Sequence, residues 1–325
     1  MAPAMKNLFM LFLFLVYGQT YAQDSDRGFP DRPITVVVPS GAGGTTDVLA
    51  RVLGEKIGLI LKQPIIIDNK PGASGIIGSS AVARAKPNGY MLLMTFPSHV
   101  INPSVKQEMP YNTVKDFSPI AKIGSVSAVL LVNKDNPAKT LQEFVRFAKA
   151  KQDEMNYGSV GVGSWGNLAM LLFESKVGLN MTGVVYKGDP ELMTALISGD
   201  IHSAFVSPIT ALPFIKAGKV RALAIADPER LASIPNVPTV AELGYSGFSA
   251  TSWNGIFGPA NMPKEVVSKL NIAINEALKE PSLQKQFREQ GVKPLGGSPE
   301  LLQQSLEQDI LLNGKALKAA GVSPS

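Results

Sequence analysis

Ile34-Thr35-Val36-Val37-Val38-Pro39-Ser40-Gly41-Ala42-Gly43-Gly44-Thr45-Thr46-Asp47 is the stretch that decides how this chain folds. Its opening run is wholly β-branched, the composition of a buried strand. Beyond the glycines, Val48, Leu49, Val52, Leu53, Ile57, Ile60 and Leu61 recur at the spacing of one helical face, predicting a helix over Thr46–Leu61. A strand that runs through glycines straight into a helix aims unpaired backbone N–H groups, and the positive end of the helix dipole, at one point. Such a turn suits an anion, most simply a carboxylate or a phosphate. Gly41, Gly43 and Gly44 also have a plainer reading, because glycine permits positive φ and close packing. Thr45, Thr46 and Asp47 add hydroxyls and a carboxylate at the helix start, although Asp47 equally complements the dipole of its own helix. Nucleotide motifs are excluded: no Lys-Ser or Lys-Thr follows the glycines, and Gly41 and Gly43 find no third glycine at position 46.

Outward from this stretch, strands and helices alternate. Pro64–Asp68 reads as a strand, Asn69–Gly75 as a turn, Ile76–Arg84 as a helix and Tyr90–Thr95 as a strand. That alternation predicts a parallel sheet with helices on both faces and a ligand crevice at the carboxyl ends of its strands. A second α/β unit begins near Ser125, with a strand at Val129–Val132, a helix at Thr140–Ala150 and a strand at Met155–Gly158. Gly158-Ser159-Val160-Gly161-Val162-Gly163-Ser164 then repeats the first design, leading into a helix over Trp165–Ser175. Strands at Val184–Tyr186, His202–Val206 and Ala222–Ala226 and a helix at Pro190–Ser198 follow. Thr239 and Glu242 have the spacing of a capping box for a short helix. Past Ser249, Trp253–Phe257 reads as a strand within an inter-lobe segment, and helices follow at Lys264–Leu278, Ser282–Gln290 and Pro299–Ala319.

The first residues lie outside this pattern. Lys6, the apolar run Leu8 to Val16 and Thr20-Tyr21-Ala22 read as a secretory signal peptide over residues 1–22, the run being too short for a bilayer anchor. No cysteine follows it to carry a lipid, and Cys 0 also excludes disulfides, thiolate metal sites and cysteine nucleophiles. The expected product is an exported, soluble protein held by its core, which 45% apolar content allows. The net charge of +5 is dispersed over single residues such as Lys115, Lys122, Lys134 and Lys139, which argues against nucleic acid as a partner.

Catalytic chemistry finds no foothold. Ser164 is not in a nucleophile elbow, because Val162 stands where glycine is needed. His99 and His202 are the only histidines, too few and too separated for a zinc site, and no carboxylate pair stands out for acid–base work. No catalytic residue, metal or cofactor is expected. The binding candidates are Ser40, Gly41, Ala42, Gly43, Gly44, Thr45, Thr46 and Asp47 of the first turn and Ser159, Gly161, Gly163 and Ser164 of the second. Phe96, Ser98 and His99 follow a strand end near the crevice, Trp165 stands beside the second turn as a wall, and Ser207 follows the strand His202–Val206.

Phe29-Pro30-Asp31-Arg32-Pro33-Ile34, Pro39 to Asp47, Asp68-Asn69-Lys70-Pro71-Gly72-Ala73, Pro87-Asn88-Gly89-Tyr90, Gly158 to Ser164, Tyr186-Lys187-Gly188 and Ile234 to Glu242 stand in one order. That ordered set resembles the tripartite tricarboxylate transporter receptors, also called the Bug family of solute-binding proteins. The resemblance implies a type II periplasmic-binding-protein fold: two α/β lobes on a two-strand hinge, with the ligand cleft between them. Residues 23–125 plus 250–325 would form one lobe and 126–249 the other. It implies a monomer that closes on a small organic carboxylate, held by main-chain N–H groups of Ser40–Thr46 and Ser159–Ser164, and partners in two membrane subunits of a secondary transporter, or none for an orphan receptor. The family usually has Phe where Ser40 stands and often His where Asn167 stands; Phe96 would replace the lost aromatic wall. Two other functions fit the same scaffold, an exported enzyme acting on a carboxylate and a sensor reporting to a membrane kinase.

Overall fold

A computed structural model describes residues 28–151, 154–161, 163–319, 321–322 and 324, so the signal-peptide expectation falls outside the described residues. The deciding stretch forms β1 (Ile34–Val38), an open turn and α1 (Thr45–Leu61), with Leu49, Leu53, Ile57 and Leu61 on the buried face. The chain continues through β2 (Ile65–Asn69), α2 (Ile76–Ala83), β3 (Met91–Met94), α3 (Ser98–Val105) and β4 (Phe117–Ser127). A second series comprises β5 (Val129–Asn133), α4 (Leu141–Ala150), β6 (Asn156–Ser159), α5 (Trp165–Val177), β7 (Thr182–Val185), α6 (Asp189–Ser198), β8 (Ser203–Val206), α7 (Pro208–Lys216) and β9 (Val220–Ile225). The chain then returns as β10 (Thr251–Pro259), α8 (Lys264–Lys279), α9 (Pro281–Glu289), β11 (Val292–Pro294) and α10 (Pro299–Ala319).

These strands make two sheets, one six-stranded in the order β11-β4-β10-β3-β1-β2 and one five-stranded in the order β7-β6-β8-β5-β9. Each is covered on both faces. Ile34, Leu53 and Ile274 belong to the core on one side of the first sheet, and Val37, Leu93 and Leu306 to that on the other. Phe144, Phe173 and Phe205, and on the opposite side Leu131, Leu196 and Ile201, do the same for the second.

The expectation of parallel sheets needs correction, because both sheets are mixed. β1, β2 and β3 are parallel, as are β6, β7 and β8, but β10 pairs antiparallel with β3 and β4, and β5 antiparallel with β8 and β9. The reason is connectivity. β4 carries the chain out of the first sheet and β10 brings it back beside β4, so the two must run in opposite senses. At the crossing, Asp227 accepts hydrogen bonds from the Ser127 and Thr251 hydroxyls, one at the end of each strand. The Thr239–Glu242 pair makes its reciprocal bonds, at 3.0 and 2.7 Å, but closes a turn and not a helix, since Gly244 at φ +102° ends it at once.

Candidate functional site

The first turn leaves the carboxyl end of β1 and enters α1 at Gly44, whose φ of −75° and ψ of 168° make it an extended N-cap with no side chain to fill the role. Val48 is the first residue of the helix whose N–H reaches a carbonyl, that of Gly44 at 3.0 Å. The N–H groups ahead of it are the orphan donors of a helix start, and they open onto the turn. Asp47 does not stand ready for a ligand. Its buried carboxylate accepts from Gly43 N–H at 2.8 Å, from Nε and Nη2 along one edge of the Arg51 guanidinium at 3.0 and 2.9 Å, and from the Asn69 amide at 3.0 Å. Burial pushes this carboxyl up, but the donors from Arg51, Gly43 and Asn69 outweigh it and hold its pKa below the ordinary value. Asn69 also donates to the Ser40 carbonyl at 3.1 Å, so β2, α1 and the turn are clamped together. Thr46 is likewise committed, its buried hydroxyl accepting from Asn254 of β10 at 3.1 Å.

The second turn uses the same device. Gly161 and Gly163 take positive φ of 124° and 81°, Ser164 caps α5 by accepting from Asn167 N–H at 3.3 Å, and Asn167 in turn accepts from Gly163 N–H at 3.4 Å. In both turns, therefore, the third helical residue reaches back to the N–H of the residue before the cap. Asp47 does so with a charge and Asn167 without one. Asn167 is itself held by the Tyr157 hydroxyl at 3.0 Å.

The two halves touch at these turns. The Thr45 and Ser207 hydroxyls share a hydrogen bond of 2.6 Å between the start of α1 and the cap of α7. Ser207 continues to the Thr210 hydroxyl at 3.2 Å, and Thr210 donates to Asp189 at 2.8 Å, at the first residue of α6. One hydroxyl chain thus joins the N-termini of three helices from the two sheets. Partial burial pushes the pKa of Asp189 up, with the Thr210 hydroxyl acting the other way. On the neighbouring side Ser98 donates weakly to the Gly163 carbonyl at 3.4 Å, and Gly163 leaves no room for a side chain: a Cβ would come within 2.8 Å of Val105 on α3.

Phe96 and Trp165 come from opposite halves to one small cavity of about 80 Å³, with Pro97, Leu168 and the crossing segment Ser249–Trp253 completing its wall. At that size it is well short of the roughly 300–1,000 Å³ of ordinary ligand pockets, and no residue of either glycine turn lines it. Phe96 packs over Gly75, where a Cβ would meet its ring at 2.4 Å, beside Pro39 at the base of the first turn. Ser40, which follows Pro39 in the turn, has its hydroxyl buried without a partner. Trp165 keeps its indole N–H buried and unpartnered as well.

His99 requires correction as a cleft residue. It lies in the first turn of α3, 2% exposed, with its ring centre 5.0 Å from Phe117, 5.8 Å from Phe257 and 6.0 Å from Tyr111, and neither ring nitrogen has a partner. Burial pushes its pKa down to about 3, so it is a neutral core ring. Trp253, in contrast, sits at the crossing with its indole N–H donated to Asp309. Sequence reasoning passed over Asn69, Arg51, Asn254 and Asp189 as organisers of the site. For Asn69 a signal existed: it ends β2 level with Val38 of β1, at the same sheet edge as the turn.

Known proteins resemble this chain in sequence and in fold. The family model described as tripartite tricarboxylate transporter family receptor matches residues 49–322. The periplasmic binding protein BugD superposes with a TM-score of 0.85 at 30% identity over 91% of this chain and 100% of that one. Rpa4515 of R. palustris, solved with adipate, gives 0.88 at 33% identity over 91% and 100% of the two chains. MatC from Rhodopseudomonas palustris, solved with bound malate, gives 0.82 at 32% identity over 89% and 100%.

Proposed function

This chain belongs to the tripartite tricarboxylate transporter receptor family, solute-binding proteins of the periplasm rather than enzymes, and from that premise we propose that it captures a small aliphatic dicarboxylate of the adipate and malate class. The observation that carries this reading is the meeting of helix N-termini from both halves, α1 with α7 and α6, through a continuous hydroxyl chain. Each N-terminus favours a carboxylate by about 0.3–2 kcal/mol through its dipole, besides the hydrogen bonds from orphan N–H groups. Donors of this kind bind anions without a protonation step, which suits a protein that must release its cargo intact. The cleft residues we assign to the ligand are Ser40 to Thr45, Phe96, Ser98, Ser159 to Ser164, Trp165 and Ser207. Asp47 and Thr46 hold the first turn in shape. Residues 1–22 direct export and are removed, residues 23–125 with 250–325 and residues 126–249 move as two lobes, and the monomer delivers its ligand to two membrane subunits of the transporter.

The test is thermal unfolding of the mature protein with adipate, malate and citrate, and with adipamide as the uncharged control. A ligand at about 100 times its dissociation constant adds ~2.7 kcal/mol of stability. At least one dicarboxylate should raise the midpoint and adipamide should not. Equal stabilisation by adipamide, or none by any acid at millimolar concentration, would remove the proposal.

A further inference from the structure

Away from the glycine-rich turns, where α10 lies against β4, a groove of about 290 Å³ runs beside the crossing strands. Lys122 and Ser125 of β4, Trp253 of β10, and Ser305, Gln308 and Asp309 of α10 line it. Its volume lies just below the range for small-molecule sites; no residue of either turn contributes to its wall, and Thr251, Ser252, Trp253 and Asp309 part it from the cavity beside Phe96 and Trp165.

Two charges share this groove without satisfying each other. The Lys122 ammonium is half-buried 5.7 Å from the centre of the Trp253 ring, and among the described residues no carboxylate or carbonyl accepts from it. Burial pushes its pKa down while the field of Asp309 acts the other way. A partly desolvated ammonium has three donors and gains from an acceptor brought against it. Asp309 gives one carboxylate oxygen to the Trp253 indole N–H and has the other to offer. The indole therefore stands between an unpaired cation and a half-used anion. A simple anion would meet repulsion from Asp309, and a simple cation would meet it from Lys122.

We propose that this groove is a second binding site, for a small zwitterion of the amino-acid type. The ligand's carboxylate lies on the Lys122 ammonium beside the Ser125 hydroxyl. Its ammonium group lies on the free oxygen of Asp309, and its carbon chain runs along the Trp253 ring. Such a ligand would bridge β4, β10 and α10 at the hinge, on the other side of the Thr251–Trp253 and Asp309 wall from the cavity beside Phe96 and Trp165.

The chain has Trp 2, so replacing Trp165 leaves the groove's own Trp253 as the single emitter. In a W165F protein all tryptophan emission comes from Trp253. L-leucine should change that emission saturably, whereas 4-methylpentanoate, which lacks the ammonium, and 3-methylbutylamine, which lacks the carboxylate, should bind at least about tenfold more weakly. Calorimetry on the unsubstituted protein reads the same event should W165F fold poorly. K122Q and D309N should each weaken leucine binding about tenfold or more, and K122Q, whose side chain lines the groove alone, should leave the melting temperature and adipate binding as they were. Saturating adipate should not displace leucine. No response to leucine at millimolar concentration, equal binding of 4-methylpentanoate, unchanged affinity in K122Q, or displacement of leucine by adipate would each overturn the assignment. Failure of adipate to bind at all would count against the cleft reading alone, since the leucine signal and its loss in K122Q are measured without it.

Discussion

Gly44→Asp separates the stability of the first turn from its capacity for anions. Gly44 has an extended backbone that any residue adopts, and a Cβ there would lie 3.4 Å from the Gly41 carbonyl, an ordinary contact. Aspartate is a preferred N-cap, so its carboxylate would take the N–H groups at the start of α1 and change stability by only a few tenths of a kcal/mol relative to glycine. Those N–H groups are the ones a ligand carboxylate requires. A fixed negative charge about 4 Å from the incoming anion adds roughly 4 kcal/mol of repulsion at an effective dielectric near 20. Solvent and the neighbouring Arg51 reduce this, and we expect adipate affinity to fall by about 100-fold or more, ~2.8 kcal/mol. Gly44→Ala adds the Cβ without the charge and should change affinity no more than about threefold, ~0.7 kcal/mol. Isothermal calorimetry with adipate and urea unfolding of the three proteins make the comparison. Wild-type affinity in Gly44→Asp, or an equal loss in Gly44→Ala, would show that the start of α1 does not hold the ligand.

In a double-mutant cycle of Thr45→Val and Ser207→Ala, the 2.6 Å bond between the halves should appear as a coupling of about 0.5–1.5 kcal/mol in adipate binding. Additive effects on calorimetric affinity would mean the bond plays no part in closure. Asp47→Asn should cost about 1.5–3 kcal/mol in urea unfolding at neutral pH, because hydrogen bonds to a charged acceptor are lost. The folded pKa of Asp47 is depressed, so its stabilisation is present above the unfolded value near 4 and lost as pH falls through the folded one. The stability gap between wild type and Asp47→Asn should therefore narrow on acidification, and a constant gap would refute the charge-based account. The folded pKa of His99 is also depressed, to about 3 from 6.5, so the unfolded chain alone binds the proton between those values and wild type loses up to ~1.4 kcal/mol per pH unit as pH falls through that window. His99→Leu should flatten this slope in urea midpoints and leave neutral-pH stability equal or higher, since no hydrogen bond is removed.

Much of the fold is legible because β1 and α1 announce themselves by composition and period, and α4 lies where the sequence placed a helix over Thr140–Ala150. Four elements were not legible. β4 contains Pro119, Lys122 and Gly124, and its pairing with β10 shifts register twice, so no alternation survives to mark it. α3 and α7 carry internal prolines, Pro103 and Pro213, which read as breakers when the helix is unknown. β11 is only Val292–Pro294 and exists by virtue of pairing with β4. The same blindness misdirected His99. Read as part of a loop after a strand, it pointed to the crevice; within α3 it turns into the aromatic core. At the site, the glycine turns were visible as local chemistry. The Asn69–Asp47 clamp and the Ser207–Thr210–Asp189 chain were not, since each depends on strands and helices far apart in sequence meeting at a sheet edge.

The two turns solve the same problem with different electrostatics, and the difference bears on how an anion is accommodated. A carboxylate at the third helical position would ordinarily repel a ligand bound at that helix start. Asp47 escapes this because Arg51, Gly43 and Asn69 draw its charge inward, leaving the α1 N–H groups as the field presented to the ligand. Asn167 reaches back to Gly163 in the same way but is neutral, so the start of α5 carries no counter-charge to offset. Among the described residues an exposed ion pair, Lys293 with Glu229 at 3.5 Å, crosses between the halves beside β11, but the contacts at the turns are hydroxyl to hydroxyl and hydroxyl to carbonyl, at Thr45–Ser207 and Ser98–Gly163. Closure built on such bonds changes little with ionic strength, whereas capture of the anion does. Attraction and closure are therefore governed by different groups, and substitutions at Thr45 or Ser207 should act on the second without changing the salt dependence of the first.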